Sequence, residues 1–229
     1  MVRLSLLWIA ALATVLIGGV LAWQLGKKYQ LKHRPYALWW TVSFALAALA
    51  ALTQLLAFAR GGFPAWDYRA YLVLSAAVPG FMGSGTVYLI WRRFGHWFLG
   101  AMVLFTLIAL AGAATTPVSA SALSNVLEAS ATVAKVAPGA IVTLGYALLG
   151  GFGGLALIVG ALYSYLRSRQ SYNLLIALGG IVFSAADTAG QFGHGVLFFP
   201  AQIIAMLLLY FGVAGSNEVA ARQSVAKSA

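Results

Sequence analysis

Asp187 is the residue of this chain with the most chemistry open to it. Ser184 lies three positions before it, Gln191 four after and His194 seven after. Those intervals put all four on one stripe of a helix. Every other acidic residue, Asp67, Glu128 and Glu218, falls outside the long apolar runs. A carboxyl inside a bilayer costs several kcal/mol unless it is paired, protonated or watered. A Ser-Asp-Gln-His stripe can therefore line a wet pocket, or hand a proton along a helix. It can equally be a hydrogen-bonded knot that ties one helix to its neighbours.

Other polar groups are placed to join it. Gln54 and Thr53, Ser75, Tyr146 and Thr143, and Gln202 all fall in the same half of their apolar runs. Gln54, Gln202 and Tyr146, with the four stripe residues, form the expected ligand-binding or proton-handling set. Pro79–Gly80 interrupts one run. Proline removes a backbone hydrogen bond and can kink a helix, so this pair is the expected hinge and a wall of the cavity.

Several chemistries do not fit. The chain has no cysteine, which removes thiolate metal sites, iron–sulfur clusters and cysteine nucleophiles. Three scattered histidines and four acids make no zinc cluster, and no metal is expected. Haem is not expected, because His33 and His96 fall on the opposite face from His194. Ser184, His194 and Asp187 lack the elbow motif of a serine nucleophile, so no catalytic residue is assigned.

The elements that hold these residues are membrane spans. Only 8% of the 229 residues are charged and 62% are hydrophobic, which excludes a soluble surface and a disordered chain. Crossing a bilayer takes about 20 apolar residues. Seven such runs occur, at 2–25, 36–59, 71–91, 97–115, 140–166, 173–193 and 196–215. A bend is expected around His194, where Gly190, Gly193 and Gly195 cluster. The first run is too long for a signal core and its positive cluster follows it, so it is expected to be a retained span.

The cations orient the bundle. Lys27, Lys28, Lys32, Arg34, Arg92, Arg93, Arg167, Arg169, Arg222 and Lys227 fall on one side. Arg3, Arg60, Arg69 and Lys135 fall on the other. This bias predicts an outside N-terminus and a cytoplasmic C-terminus, in a plasma membrane of bacterial or archaeal inner-membrane type. It also accounts for the net charge of +10 without nucleic acid as a partner. Asp67–Tyr68–Arg69 is expected to be an interfacial anchor. Segment 117–137, with Val118, Ala122, Leu123, Val126, Leu127, Val133 and Val136 near helical spacing, is expected to be an amphipathic helix on the outer surface. Residues 216–229 are expected to be a short cytoplasmic tail.

Seven spans permit a 3+1+3 plan, two parallel triplets joined by the fourth span. In outline alone the plan resembles microbial rhodopsins. A retinal Schiff base needs a lysine in the seventh span, and 196–215 has none, so covalent retinal is excluded. The fifth span is rich in glycine, with Gly150 and Gly154 in a small-xxx-small step that would serve internal packing or a homo-oligomer.

The expected function is an all-α, seven-helix membrane protein whose outward-facing polar pocket binds a small or lipophilic ligand. It would act as a receptor, a sensor or an accessory subunit, with a separate signalling or membrane partner. The alternatives are a small proton-coupled transporter using Asp187 and an intramembrane lipid-modifying enzyme, with the enzyme the least supported.

Overall fold

The computed structural model describes residues 2–125, 136–137, 139–191 and 195–226, with side chains over 8–125, 136–137, 139–189 and 197–216. All regular structure among them is helical. The helices are α1 (Val2–Lys32), α2 (Pro35–Arg60), α3 (Ala65–Ile90), α4 (Arg92–Thr115), the one-turn α5 (Ala120–Leu123), α6 (Ala140–Ser168), α7 (Ser171–Gln191) and α8 (Gly195–Ala226). Seven of them are long and apolar enough to cross a membrane. The protein is thus a multi-pass, all-α membrane protein.

The helices outrun the apolar runs that announce them. α1 continues to Lys32, α3 starts at Ala65, α4 starts at Arg92 and α8 continues through Ala226 into the expected tail. Long basic side chains permit this, because their stems can lie along a helix while the charge reaches water. The junctions shrink accordingly: His33 and Arg34 join α1 to α2, Trp91 alone joins α3 to α4, and Arg169 and Gln170 join α6 to α7. Many of the expected loop cations therefore stand on helix ends.

Joints this short force successive helices to run antiparallel. α1, α2, α3, α6, α7 and α8 pack in that cyclic order, with α8 closing back onto α1. α4 packs on α3 and α6 from outside this ring. Burial agrees: 56% of the most apolar stretch of α3 is buried, against 22% for α4. The remaining apolar surface, such as Leu16, Leu104 and Leu155, faces outward as a lipid-facing surface must.

α3 and α6 meet backbone to backbone. A Cβ on Gly83 would stand 2.9 Å from Gly153 Cα, and one on Gly80 would stand 2.8 Å from Leu149 Cδ2. A Cβ on Gly145 would stand 2.7 Å from Ala109 Cα of α4. The close approach thus runs through Gly145, Gly153 and Gly160 rather than the Gly150–Gly154 step. Gly150 faces open space, and Gly154 faces Ser184 of α7. α3 passes through Pro79 as one continuous helix. One residue before Pro79, the Val78 carbonyl accepts a hydrogen bond from Ser43 of α2 at 2.7 Å.

The end of the bundle opposite the basic junctions is capped by side chains. α2 stops at Gly61, whose φ of 74° closes the helix in a left-handed turn. Phe63, Tyr68, Tyr71 and Leu123 pack there with Val136 and Ala137, partly covered by Val118 and Ala122. In segment 117–137 the described helical residues are the single turn Ala120–Leu123 and Val136. The expected helical positions Val126, Leu127 and Val133 lie outside the described residues. Arg60 pairs with Asp67 across the α2–α3 turn. Arg69 donates to the Ala114 and Thr116 carbonyls at 3.0 and 3.2 Å, tying α3 to the end of α4.

Candidate functional site

The ring encloses a cavity of about 60 Å³. That is room for a few water molecules, at about 10–15 Å³ each. Every ring helix contributes to its wall: Thr14 from α1, Gln54 from α2, Tyr71 and Ser75 from α3, Tyr146 from α6, Ser184 and Asp187 from α7, and Gln202 from α8.

At its centre is a bond between two helices. The Tyr146 hydroxyl donates to Asp187 Oδ1 at 2.8 Å. Both residues are half-buried. Their remaining exposure has a specific place. Ser75, Pro79, Tyr146, Phe183, Ser184 and Asp187 also line a second hollow of about 270 Å³, outside the ring between α3, α6 and α7. The rest of that groove is Gly150, Gly151, Leu155, Ile158 and neighbouring small or apolar residues. Leu155 is exposed on the lipid-facing side. The Tyr146–Asp187 pair therefore stands on a wall shared by the central cavity and a groove that also carries Thr188 and the lipid-exposed Leu155.

Two glutamines complete the polar wall. Gln54, 1% exposed, donates from Nε2 to the Tyr71 hydroxyl at 3.2 Å. Its Oε1 has no protein partner, and neither has Oε1 of Gln202, which is 7% exposed. A buried amide oxygen with no donor costs about 1–3 kcal/mol unless water or a ligand supplies one. With the Asp187 carboxyl, these oxygens add acceptors to a wall that also carries the hydroxyls of Thr14, Tyr71, Ser75 and Ser184.

The sequence-derived set divides in three. Asp187, Ser184, Gln54, Gln202, Tyr146 and Pro79 line the cavity. Gly80 lies against α6 instead, where it serves packing. His194 lies outside the described residues, as does the side chain of Gln191. Thr53 bonds its own helix at Ala50 O. Tyr71, Thr14 and Phe183 are wall residues that the pattern did not single out. For Tyr71 a signal existed: Tyr71, Ser75 and Pro79 recur every four residues on one face of α3.

A single apolar layer floors the cavity. Phe44, Val78, Met82, Leu157, Met206 and Leu209 line it, and they belong to the same packed cluster as Leu25, Trp40, Ala161, Ile176 and Val213. The latter five line a wide vestibule of about 810 Å³ at the basic end of the bundle.

Among the described residues no group of three or more metal-ligating side chains occurs. No protein-family model, curated protein or solved structure matches this chain.

Proposed function

We propose that this protein binds a small amphiphile, as a receptor, sensor or accessory subunit of the plasma membrane. A hydrogen-bond-donating head group would sit in the central cavity, and an apolar body would lie in the flanking groove. The observation that carries this reading is the position of Asp187 and Tyr146 on the shared wall of the two hollows, in a cavity that Gln54 and Gln202 also line. The groove, at about 270 Å³, has room for an apolar body, and Leu155 on its rim is exposed on the lipid-facing side. On the charge bias, the cavity lies nearer the outer surface and the N-terminus is outside. A sensor of this kind would signal through a separate partner.

A second reading is a proton-coupled transporter. Two observations favour it: α4 lies outside a six-helix ring, as a connector between two triplets would, and one apolar layer separates the central cavity from the open vestibule. In that reading the triplets rock about the layer and Asp187 carries the proton.

Native mass spectrometry of the purified protein separates these readings from a structural knot. The ligand reading expects a co-purifying amphiphile on the wild type that is absent from Asp187→Asn and Gln202→Leu. Transport expects uptake of that extracted molecule into proteoliposomes, driven by a proton gradient and abolished in Asp187→Asn. A wild type that carries nothing, with an Asp187→Asn variant that only melts earlier, contradicts both readings.

A further inference from the structure

The vestibule at the basic end differs in chemistry from the central cavity. It is rich in donors and its lining holds no carboxylate among the described residues. Lys28, Lys32, Arg34 and Arg167 all line it, contributed by α1, the α1–α2 junction and the end of α6. Hydroxyls from Tyr36 and Ser164 add donors.

Two helix N-termini open onto the same space. α2 begins at Pro35 and α7 at Ser171, and their first-turn residues Tyr36 and Tyr172 line the vestibule. Neither first turn carries an acidic residue. The positive end of each helix dipole thus adds to the cationic lining.

The floor below the cations is closed by packing. Trp40 lines the vestibule, is 7% exposed, and its indole N–H has no acceptor. That edge of the indole packs against Gly85 of α3, so the ring closes the floor of the vestibule. Around it the floor is apolar, formed by Leu25, Ile176 and Val213.

We propose that the vestibule is a binding site for a phosphate-bearing anion, with the phosphate held by Arg34, Arg167 and the lysines. The shared chemistry is a phosphoryl oxygen cluster, and its source is either the head group of an anionic lipid or a soluble phosphate. The site is separate from the Asp187 cavity, and its existence does not depend on what that cavity binds.

The test uses the full chain, with Arg34→Gln plus Arg167→Gln as the site variant. Arg92→Gln plus Arg93→Gln is the control. It removes the same charge from the same end, at residues that do not line the vestibule. Protein purified in neutral detergent is titrated with phosphatidylglycerol and followed by native mass spectrometry. Protein in discs of phosphatidylcholine alone is titrated with inorganic phosphate and followed by tryptophan fluorescence, for which Trp40 is the local reporter. The lipid source predicts discrete phosphatidylglycerol binding, roughly tenfold or more weaker in the site variant and little changed in the control. The soluble source predicts a saturable phosphate response in the phosphatidylcholine discs that the site variant loses and the control keeps. Both variants are checked for monodispersity and melting temperature. If the site variant misfolds, Arg34→Lys plus Arg167→Lys replaces it, and weakened binding with the charge retained is the expected result, since an ammonium lacks the guanidinium's paired donors; unchanged binding overturns the proposal. The proposal is overturned if neither probe binds, or if site and control variants weaken binding equally.

Discussion

The Tyr146 hydroxyl reaches across from α6 to α7 and donates to Asp187 at 2.8 Å, at the one place where the central cavity and the flanking groove share a wall. That bond ties two helices on a wall that both hollows share. A structural role and a binding role separate by substitution. Asp187→Asn keeps a carbonyl for the Tyr146 hydroxyl, so its melting should shift by no more than about 0.5 kcal/mol of stability. Tyr146→Phe removes the donor and should cost about 0.6–1.7 kcal/mol. Thermal melts of both variants in one detergent, beside their content of co-purified amphiphile, check this. Loss of ligand from Asp187→Asn at near-native stability is the expected outcome.

Glycine substitutions should distinguish the two faces of α6. Gly153→Ala places a Cβ 2.5 Å from Gly80 N, against backbone that cannot swing aside. It should destabilise the bundle by about 1–3 kcal/mol or more. Gly150→Ala meets nothing within 4 Å and should be neutral, or stabilising by up to about 1 kcal/mol through helix propensity. Melting temperatures of the two single variants decide the matter. Equal losses would contradict the assignment of Gly153 to the α3 seam.

The two arginines at the capped end should differ in weight. Arg60 and Asp67 form an ion pair whose side chains are 53% and 36% exposed, and removing it with Arg60→Gln should change stability by less than about 1 kcal/mol. Arg69 bonds two carbonyls at the end of α4 and lies 5.0 Å from the Trp66 ring. Arg69→Met should cost about 0.5–1.5 kcal/mol, because it removes both hydrogen bonds at a partly exposed helix end. Chemical denaturation of each variant gives the comparison.

The absence of native cysteine makes orientation directly measurable. Ser124→Cys should react with a membrane-impermeant maleimide in intact cells. Arg93→Cys should react only after permeabilisation. The reverse pattern would invert the orientation inferred from the cations.

Much of this architecture was legible because the bilayer simplifies the reading. Seven apolar runs became seven long helices, and the stripe rule brought Ser184 and Asp187 to one wall. Gln54, Gln202 and Tyr146 were legible as polar side chains in apolar surroundings. What the pattern missed depends on where helices separate. Gly150 and Gly154 look like a packing step, yet Gly150 opens onto the groove, because α6 presents Gly153 to α3. Lys28, Lys32, Arg34 and Arg167 announced a side of the membrane. That they ring a hollow follows only once the helices run on past their apolar runs and the junctions shorten. Trp40 gave no signal, since an unpaired indole N–H is a property of packing.

If the Asp187 cavity holds the head of an amphiphile, a density map of the protein purified from its membrane will show it. Continuous non-protein density is expected to start within hydrogen-bond distance of Asp187, pass Tyr146 and extend into the groove along Gly150 and Leu155. Isolated water-sized peaks satisfying Gln54 and Gln202, with an intact Tyr146–Asp187 bond and a groove filled only by disordered bilayer lipid, would contradict it.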